Sequence, residues 1–164
     1  MDRGTGTGVA GARVAGTGAT GAGRFDVPEI DAFTRAYWDA AAEGRLLVRR
    51  CGACGRAHHY PREFCPYCWS EDVAWETASG LATLYTWSVV HRNDLPPFGE
   101  RTPYVAAVVD LDEGPRMMTE VVGEADGVQG VLRVGMGLEV AFREGVPVFR
   151  PRGGSRTAVR ASMG

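Results

Sequence analysis

All four cysteines of the chain fall between Cys51 and Cys68. They read C-G-A-C at Cys51 to Cys54 and C-P-Y-C at Cys65 to Cys68, two C-x-x-C pairs facing each other across a short loop. Four thiolates can surround one Zn²⁺ tetrahedrally at roughly 2.3 Å each, which closes the coordination sphere and leaves no place for water or substrate. A site of that kind is structural rather than catalytic. Each two-residue gap makes a knuckle that turns both sulfurs toward one ion. Gly52 and Gly55 suit the tight turn of the first knuckle, because glycine takes positive φ without strain. Pro66 stiffens the second. Zinc is therefore the expected ion, and spacing alone does not exclude iron, which accepts the same four thiolates.

Other uses of four cysteines fit less well. Two disulfides would need an oxidising compartment, yet the N-terminus lacks the apolar stretch of a secretory signal. A thioredoxin-like redox pair needs a strand-to-helix setting, and two such pairs side by side do not suit it. His58 and His59 sit inside the loop; with four cysteines at hand, they are expected to be solvated rather than ligating.

Composition bounds the rest. The chain has 164 residues, enough for one domain with a small satellite, and 45% of them are hydrophobic, enough for a core. A net charge of −2 gives no basic field to draw nucleic acid or an anionic membrane. No run of about 18 apolar residues suggests a membrane helix. Cysteines confined to a metal motif point to a reducing compartment, so a cytoplasmic location is expected.

The elements that hold the cysteines can be read in order. Residues 1–24 are nearly all Gly, Ala and Thr and are expected to be a disordered head, or a stretch upstream of the true start. A helical segment is expected over 25–45, with Asp31 as N-cap, a helix from Ala32 to Glu43, and Gly44 as its stop. Phe33, Tyr37 and Ala41 recur on one face of it, with Trp38 beside them. The ribbon, 46–79, should have one strand at Leu46 to Val48 and another returning from Trp69 to Trp75. So small a core depends on its metal to fold. After Ser79-Gly80 the pattern turns to strands over 80–151. Leu81 to Val90 alternates, with Tyr85, Trp87 and Val89 on one face and Leu84, Thr86 and Ser88 on the other. The proline-bearing loop His91 to Pro103 cannot be a central strand. Tyr104 to Leu111 is an almost unbroken apolar run and reads as a buried strand. Asp112-Glu113-Gly114-Pro115 is turn chemistry before a strand from Arg116 to Val122, and strands at Leu138 to Phe142 and Val146 to Phe149 follow a polar excursion. Five short strands with glycine-rich turns suggest a small β-barrel, whose closure would remove exposed edges. Residues 152–164 are expected to form a disordered, mildly basic tail.

The ordered set of helix, four-cysteine ribbon and five-stranded barrel resembles the DUF35 family over roughly Phe25 to Pro151. E-G-R-L at Glu43, the C-x-x-C-G knuckle, C-P-Y-C at Cys65, S-G at Ser79, V-V-H-R at Val89, D-L-D-E-G at Asp110, G-M-G-L-E-V-A-F and F-R-P at Phe149 carry the likeness. The resemblance implies a mainly β protein with an N-terminal helix, a rubredoxin-like Cys₄ zinc ribbon and a five-stranded OB-fold barrel. It also implies a non-catalytic accessory subunit of acyl-CoA chemistry in lipid, steroid or polyketide metabolism. The implied partner is a thiolase-like, aldolase-like or hot-dog-fold hydratase protein. A site for the CoA part of an acyl-CoA ligand needs cations for phosphates and aromatic surface beside them. Trp87, His91, Arg92, Phe98 and Arg101 offer both around one loop. Phe33, Tyr37, Trp38 and Trp69, with Trp75, are the candidate partner surface. OB folds and ribbons also bind single-stranded nucleic acid, with Tyr85, Trp87 and Phe98 able to stack; the acidic balance argues against that use. No nucleophile-and-base pairing stands out. His91 is the one histidine outside the ribbon loop, and Asp110, Asp112, Glu113 and Glu120 read as turn and surface carboxylates.

Overall fold

The computed structural model describes residues 25–123 and 128–153. The expected head at 1–24 and nearly all of the expected tail lie outside the described residues. Helix α1 spans Arg35–Ala42. The ribbon strands are β1 (Leu47–Cys51), β2 (Ala57–His58) and β3 (Val73–Thr77), in the antiparallel order β2-β1-β3. The remaining strands are β4 (Leu81–Val90), β5 (Tyr104–Leu111), β6 (Arg116–Val121), β7 (Gly137–Arg143) and β8 (Val146–Pro151). They close a barrel in the order β4-β5-β6-β8-β7, with β7 returning to β4. A short helix, α2 (Val128–Val131), lies between β6 and β7, and one 3₁₀ turn occupies Phe98–Arg101. Among the described residues no helix is long and apolar enough to cross a membrane.

The local chemistry explains the boundaries. The Asp31 carboxylate accepts the Thr34 backbone N–H at 2.6 Å, and the Asp31 N–H reaches Thr34 Oγ1 at 3.2 Å. That reciprocal cap starts the first turn at the expected residue, although regular helix begins only at Arg35. The helix stops where Gly44 takes φ +80°. The Arg45 and Gly44 N–H groups then bond the Ala40 and Ala41 carbonyls, a Schellman ending. The two-residue strand β2 went unseen in the sequence because it is too short to show a period.

Strand β4 departs from its expected alternation. A bulge between Leu84 and Thr86 shifts the register, so Ala82 and Leu84 point inward and Trp87 turns partly inward after it. Tyr85 is exposed, with the Arg116 guanidinium 3.5 Å from its ring centroid. Before the bulge β4 pairs with both β5 and β7; beyond it, with β5 alone. Strand β5 is not buried on both faces, as its apolar run suggested. Val105, Ala107, Val109 and Leu111 face the barrel core, and the alternate residues are only half-buried.

One continuous core joins the parts. Leu84, Val109, Leu138 and Phe149 fill the barrel at 0% exposure. Tyr37, Leu46 and Val48 extend the same cluster under the helix and ribbon. Helix α1 packs on β1 and β8 and so wedges the ribbon against the barrel.

Candidate metal centre and the cleft beside it

The four cysteine sulfurs lie within 4.8 Å of one another. Cys51 and Cys68 approach to 3.6 Å, as do Cys54 and Cys65, and none is in a disulfide. A tetrahedron with metal–sulfur distances of about 2.3 Å has sulfur–sulfur edges of about 3.8 Å, so the cluster fits one ion. The two knuckles are built alike. Gly55 N–H bonds the Cys51 carbonyl at 2.9 Å, and Trp69 N–H bonds the Cys65 carbonyl at 2.9 Å. Gly55 and Trp69 occupy equivalent positions, with φ +72° and +64°. Gly52 serves differently from the expectation. It needs no positive φ, but a Cβ there would stand 2.1 Å from an Asp72 carboxylate oxygen. Cys51 and Cys65 are fully buried, and Cys54 and Cys68 face outward. Burial raises the Cys65 thiol, yet backbone N–H groups of Tyr67 and Cys68 outweigh it and bring the thiol down to about 7. A thiol so poised gives up its proton readily to a metal.

A cleft of about 380 Å³ opens beside the ribbon, lined by α1, the loop after β2, the 3₁₀ turn and residues of β5, β6, β7 and β8. Tyr37, Trp38, His59, Tyr60, Phe98 and Tyr104 give it an aromatic wall. The second face of β5 is apolar because Tyr104 and Ala106 line this cleft. At one end Arg101 contacts the Asp26 carboxylate at 2.8 Å and Glu120 at 3.6 Å. Arg143 holds Glu120 through both guanidinium nitrogens, at 2.5 and 2.8 Å. On the aromatic wall the Tyr37 hydroxyl and His59 Nε2 are 3.0 Å apart, and the Trp38 indole N–H donates to the Tyr60 hydroxyl at 3.0 Å. Burial, then the neighbouring His58, pulls His59 down to about 4. Burial likewise pushes the Tyr37 phenol up, so both are neutral near pH 7. The Asn93 amide donates to the Tyr104 hydroxyl at 3.0 Å.

The residues picked from sequence scatter across this arrangement. Phe98 and Arg101 line the cleft, with Arg101 over the Phe98 ring at 5.1 Å. His91 and Arg92 are exposed and lie outside the cleft lining, with Arg92 against Asp94 at 3.4 Å. Trp87 packs its half-buried ring against the barrel core. Of the expected partner surface, Tyr37 is 2% exposed and cannot be a surface contact, because its ring is the helix's anchor in the fold. Trp38 is half-buried in the cleft wall. Phe33 lies against Trp75 at 6.2 Å, with Arg49 over both rings. Trp69 alone of the four is open, 73% exposed and stacked on Phe64 at 5.2 Å. The expected solvation of the loop histidines fails. His58 is buried in β2 and His59 is held by Tyr37. Asp26, Tyr60, Glu120 and Arg143 were missed as site residues, because nothing near them in sequence marks a charge that will be paired across the fold.

Two family models match adjoining parts of the chain. Residues 38–74 match the rubredoxin-like zinc ribbon domain of ChsH2, and residues 75–143 match its C-terminal OB-fold domain. A probable enoyl-CoA hydratase alpha subunit of Thermomonospora curvata is 36% identical over 131 residues, covering 76% of this chain and 39% of that protein. The chain thus spans about two fifths of that relative's length. A DUF35 domain-containing scaffold protein of Methanocaldococcus jannaschii is 36% identical over 99 residues, covering 60% of this chain and 67% of the scaffold. Among solved structures, the chain resembles one titled Ltp2-ChsH2(DUF35) aldolase. The TM-score is 0.62 and the identity 34%, over 76% of this chain and 98% of that one.

Proposed function

Because the chain belongs to the DUF35 family, with the zinc ribbon and OB-fold barrel of ChsH2, we propose that it is a non-catalytic accessory subunit. It assembles with a thiolase-like, aldolase-like or hydratase enzyme and helps that enzyme hold an acyl-CoA thioester. Zinc fills the four-sulfur site and fixes the ribbon. The observation that carries this reading is the state of the cleft's titratable groups. Asp26, Arg101, Glu120 and Arg143 are paired with one another, and Tyr37 with His59. Tyr60 and Tyr104 are bonded to Trp38 and Asn93. A general acid or base must be free to take the substrate's proton, and a nucleophile must stand beside its base. Here the described titratable groups of the cleft are engaged with one another, which suits binding and positioning rather than reaction. The likeness to a hydratase subunit and to an aldolase complex supports the choice of partner class.

Single-strand binding receives no comparable support. On the described barrel strands the arginines are matched to carboxylates, Arg116 to Asp110, Arg143 to Glu120 and Arg150 to Glu139, which does not favour an open basic track there. The test is recovery of the full chain from its native host with whatever it binds. A thiolase-like, aldolase-like or hydratase subunit is expected in stoichiometric yield, and added chain should raise that enzyme's turnover of acyl-CoA. A partner-free chain that turns over acyl-CoA by itself would overturn the reading.

A further inference from the structure

The cleft's charges decide what can enter it. Its four formal charges are two carboxylates, Asp26 and Glu120, and two guanidinium groups, Arg101 and Arg143. They sum to zero and are mutually bonded. The Asp26 and Glu120 side chains are 5% and 13% exposed, Arg101 19% and Arg143 32%, so both carboxylates are desolvated and Arg143 stays partly open. A phosphate entering here would compete for its arginine with a carboxylate that already holds it and is buried. That exchange gains nothing and leaves a buried carboxylate unpaired. The remaining wall is largely aromatic and aliphatic, with Ala106, Met117, Pro147 and Val148 beside the aromatic rings. Its volume, about 380 Å³, is at the small end of the range of roughly 300–1,000 Å³ in which small molecules bury most of their surface. A nucleotide bearing three phosphates does not fit both that space and that charge.

We infer that this cleft is a binding site for an uncharged, mainly apolar group: the acyl part of a thioester, chain or ring, with the phosphates of the carrier left outside. The Tyr37–His59 pair is a neutral polar point on an otherwise apolar wall, of the kind that orients such a ligand through a carbonyl or hydroxyl oxygen. The arginines do not read the ligand; they lock the N-terminal segment, the 3₁₀ turn and strands β6 and β7 around it. The inference takes its thioester chemistry from the function proposed above and adds which portion the cleft receives. His91 and Arg92, exposed outside it, are then no part of this site.

Calorimetry on the full chain alone tests it, with butanoyl, hexanoyl and octanoyl thioesters of N-acetylcysteamine, which carry no phosphate. Affinity should rise about fourfold for each added methylene and change less than about twofold between low and high salt. Octanoyl-CoA should bind about as tightly as the octanoyl probe, and CoA without an acyl group far more weakly. Ala106→Phe, which fills the cleft, should abolish probe binding while its circular dichroism stays native. Met118→Ala, at the exposed rim, should weaken binding several-fold and covers the case in which the first variant misfolds. No saturable binding of any neutral thioester, affinity independent of chain length, or CoA alone binding as tightly as octanoyl-CoA would each overturn the inference. These readouts use no partner, so failure here leaves the assembly proposal standing, and failure to recover a partner leaves the cleft's ligand standing.

Discussion

At Trp69 a bulky residue holds φ +64°, a conformation that costs little only for glycine. Its counterpart in the first knuckle is Gly55, so the geometry demanded at both positions comes from folding two sulfurs toward one point. His59 shows a different tension. It is a histidine held neutral by burial against Tyr37, with its proton affinity brought down to about 4 from an ordinary value near 6.5. Above pH 6.5 the group is neutral folded or unfolded and stability does not depend on it. As the pH falls from 6.5 toward 4 the unfolded chain takes up the proton first, and stability drops by at most about 1.4 kcal/mol per pH unit. Urea unfolding at pH 7 and pH 5 should therefore show a smaller loss in His59→Gln than in the native chain, by about 1 kcal/mol after allowance for partial exposure. Equal losses, with equal metal content, would mean that His59 is not what acid attacks.

The elements carry their own constraints. Strand β5 is apolar throughout for two unrelated reasons, one face filling the barrel and the other lining the cleft. A single hydrophobic run thus gives a right strand and a wrong account of its surroundings. The junction between ribbon and barrel turns on Gly80, which has φ +76° and whose carbonyl accepts the Val140 N–H at 2.7 Å. A Cβ there would lie 2.6 Å from Val140 Cγ1. Gly80→Ala meets both backbone strain and a clash with β7, and should cost about 2–4 kcal/mol. Gly44→Ala has similar φ, +80°, but open space around it, and should cost about 1 kcal/mol. Guanidinium unfolding of the two variants compares them directly, and equal costs would show that contact with Val140 is relieved at no expense.

Across the whole molecule two lobes share one core but not one source of stability. The barrel closes its own hydrogen bonds and fills its interior with Leu84, Val109, Leu138 and Phe149. The ribbon has three short strands, and two of its four cysteines, Cys51 and Cys65, are fully buried within it. Such a lobe draws its folding free energy from the metal. Cys51→Ser, or a strong chelator, should release the ion and unfold the ribbon. Strand signals in circular dichroism and slow amide exchange should persist in strands β4 to β8. Metal analysis with hydrogen exchange reads both lobes at once. A metal-free chain with native protection at Val48 and Trp75 would contradict it.

Much of the fold was legible because it is local. The C-x-x-C spacing set the knuckles, Gly44 ended the helix, and turn residues such as Asp112 to Pro115 bounded the strands almost to the residue. Chemistry over two to four neighbouring residues decided each of these. Phe98 and Arg101 could be named from one loop, but their roles could not, since Asp26 and Glu120 reach Arg101 from distant parts of the chain. Whether a charge is a free ligand or half of a buried pair depends on what closure of the barrel brings beside it. The sequence by itself determined the four-cysteine cluster and where most barrel strands run, because short-range geometry and periodicity write them. Only the tertiary structure decided that the arginines are neutralised, the histidines withdrawn and an apolar cleft left between the lobes, because burial and pairing arise from contacts between segments far apart along the chain.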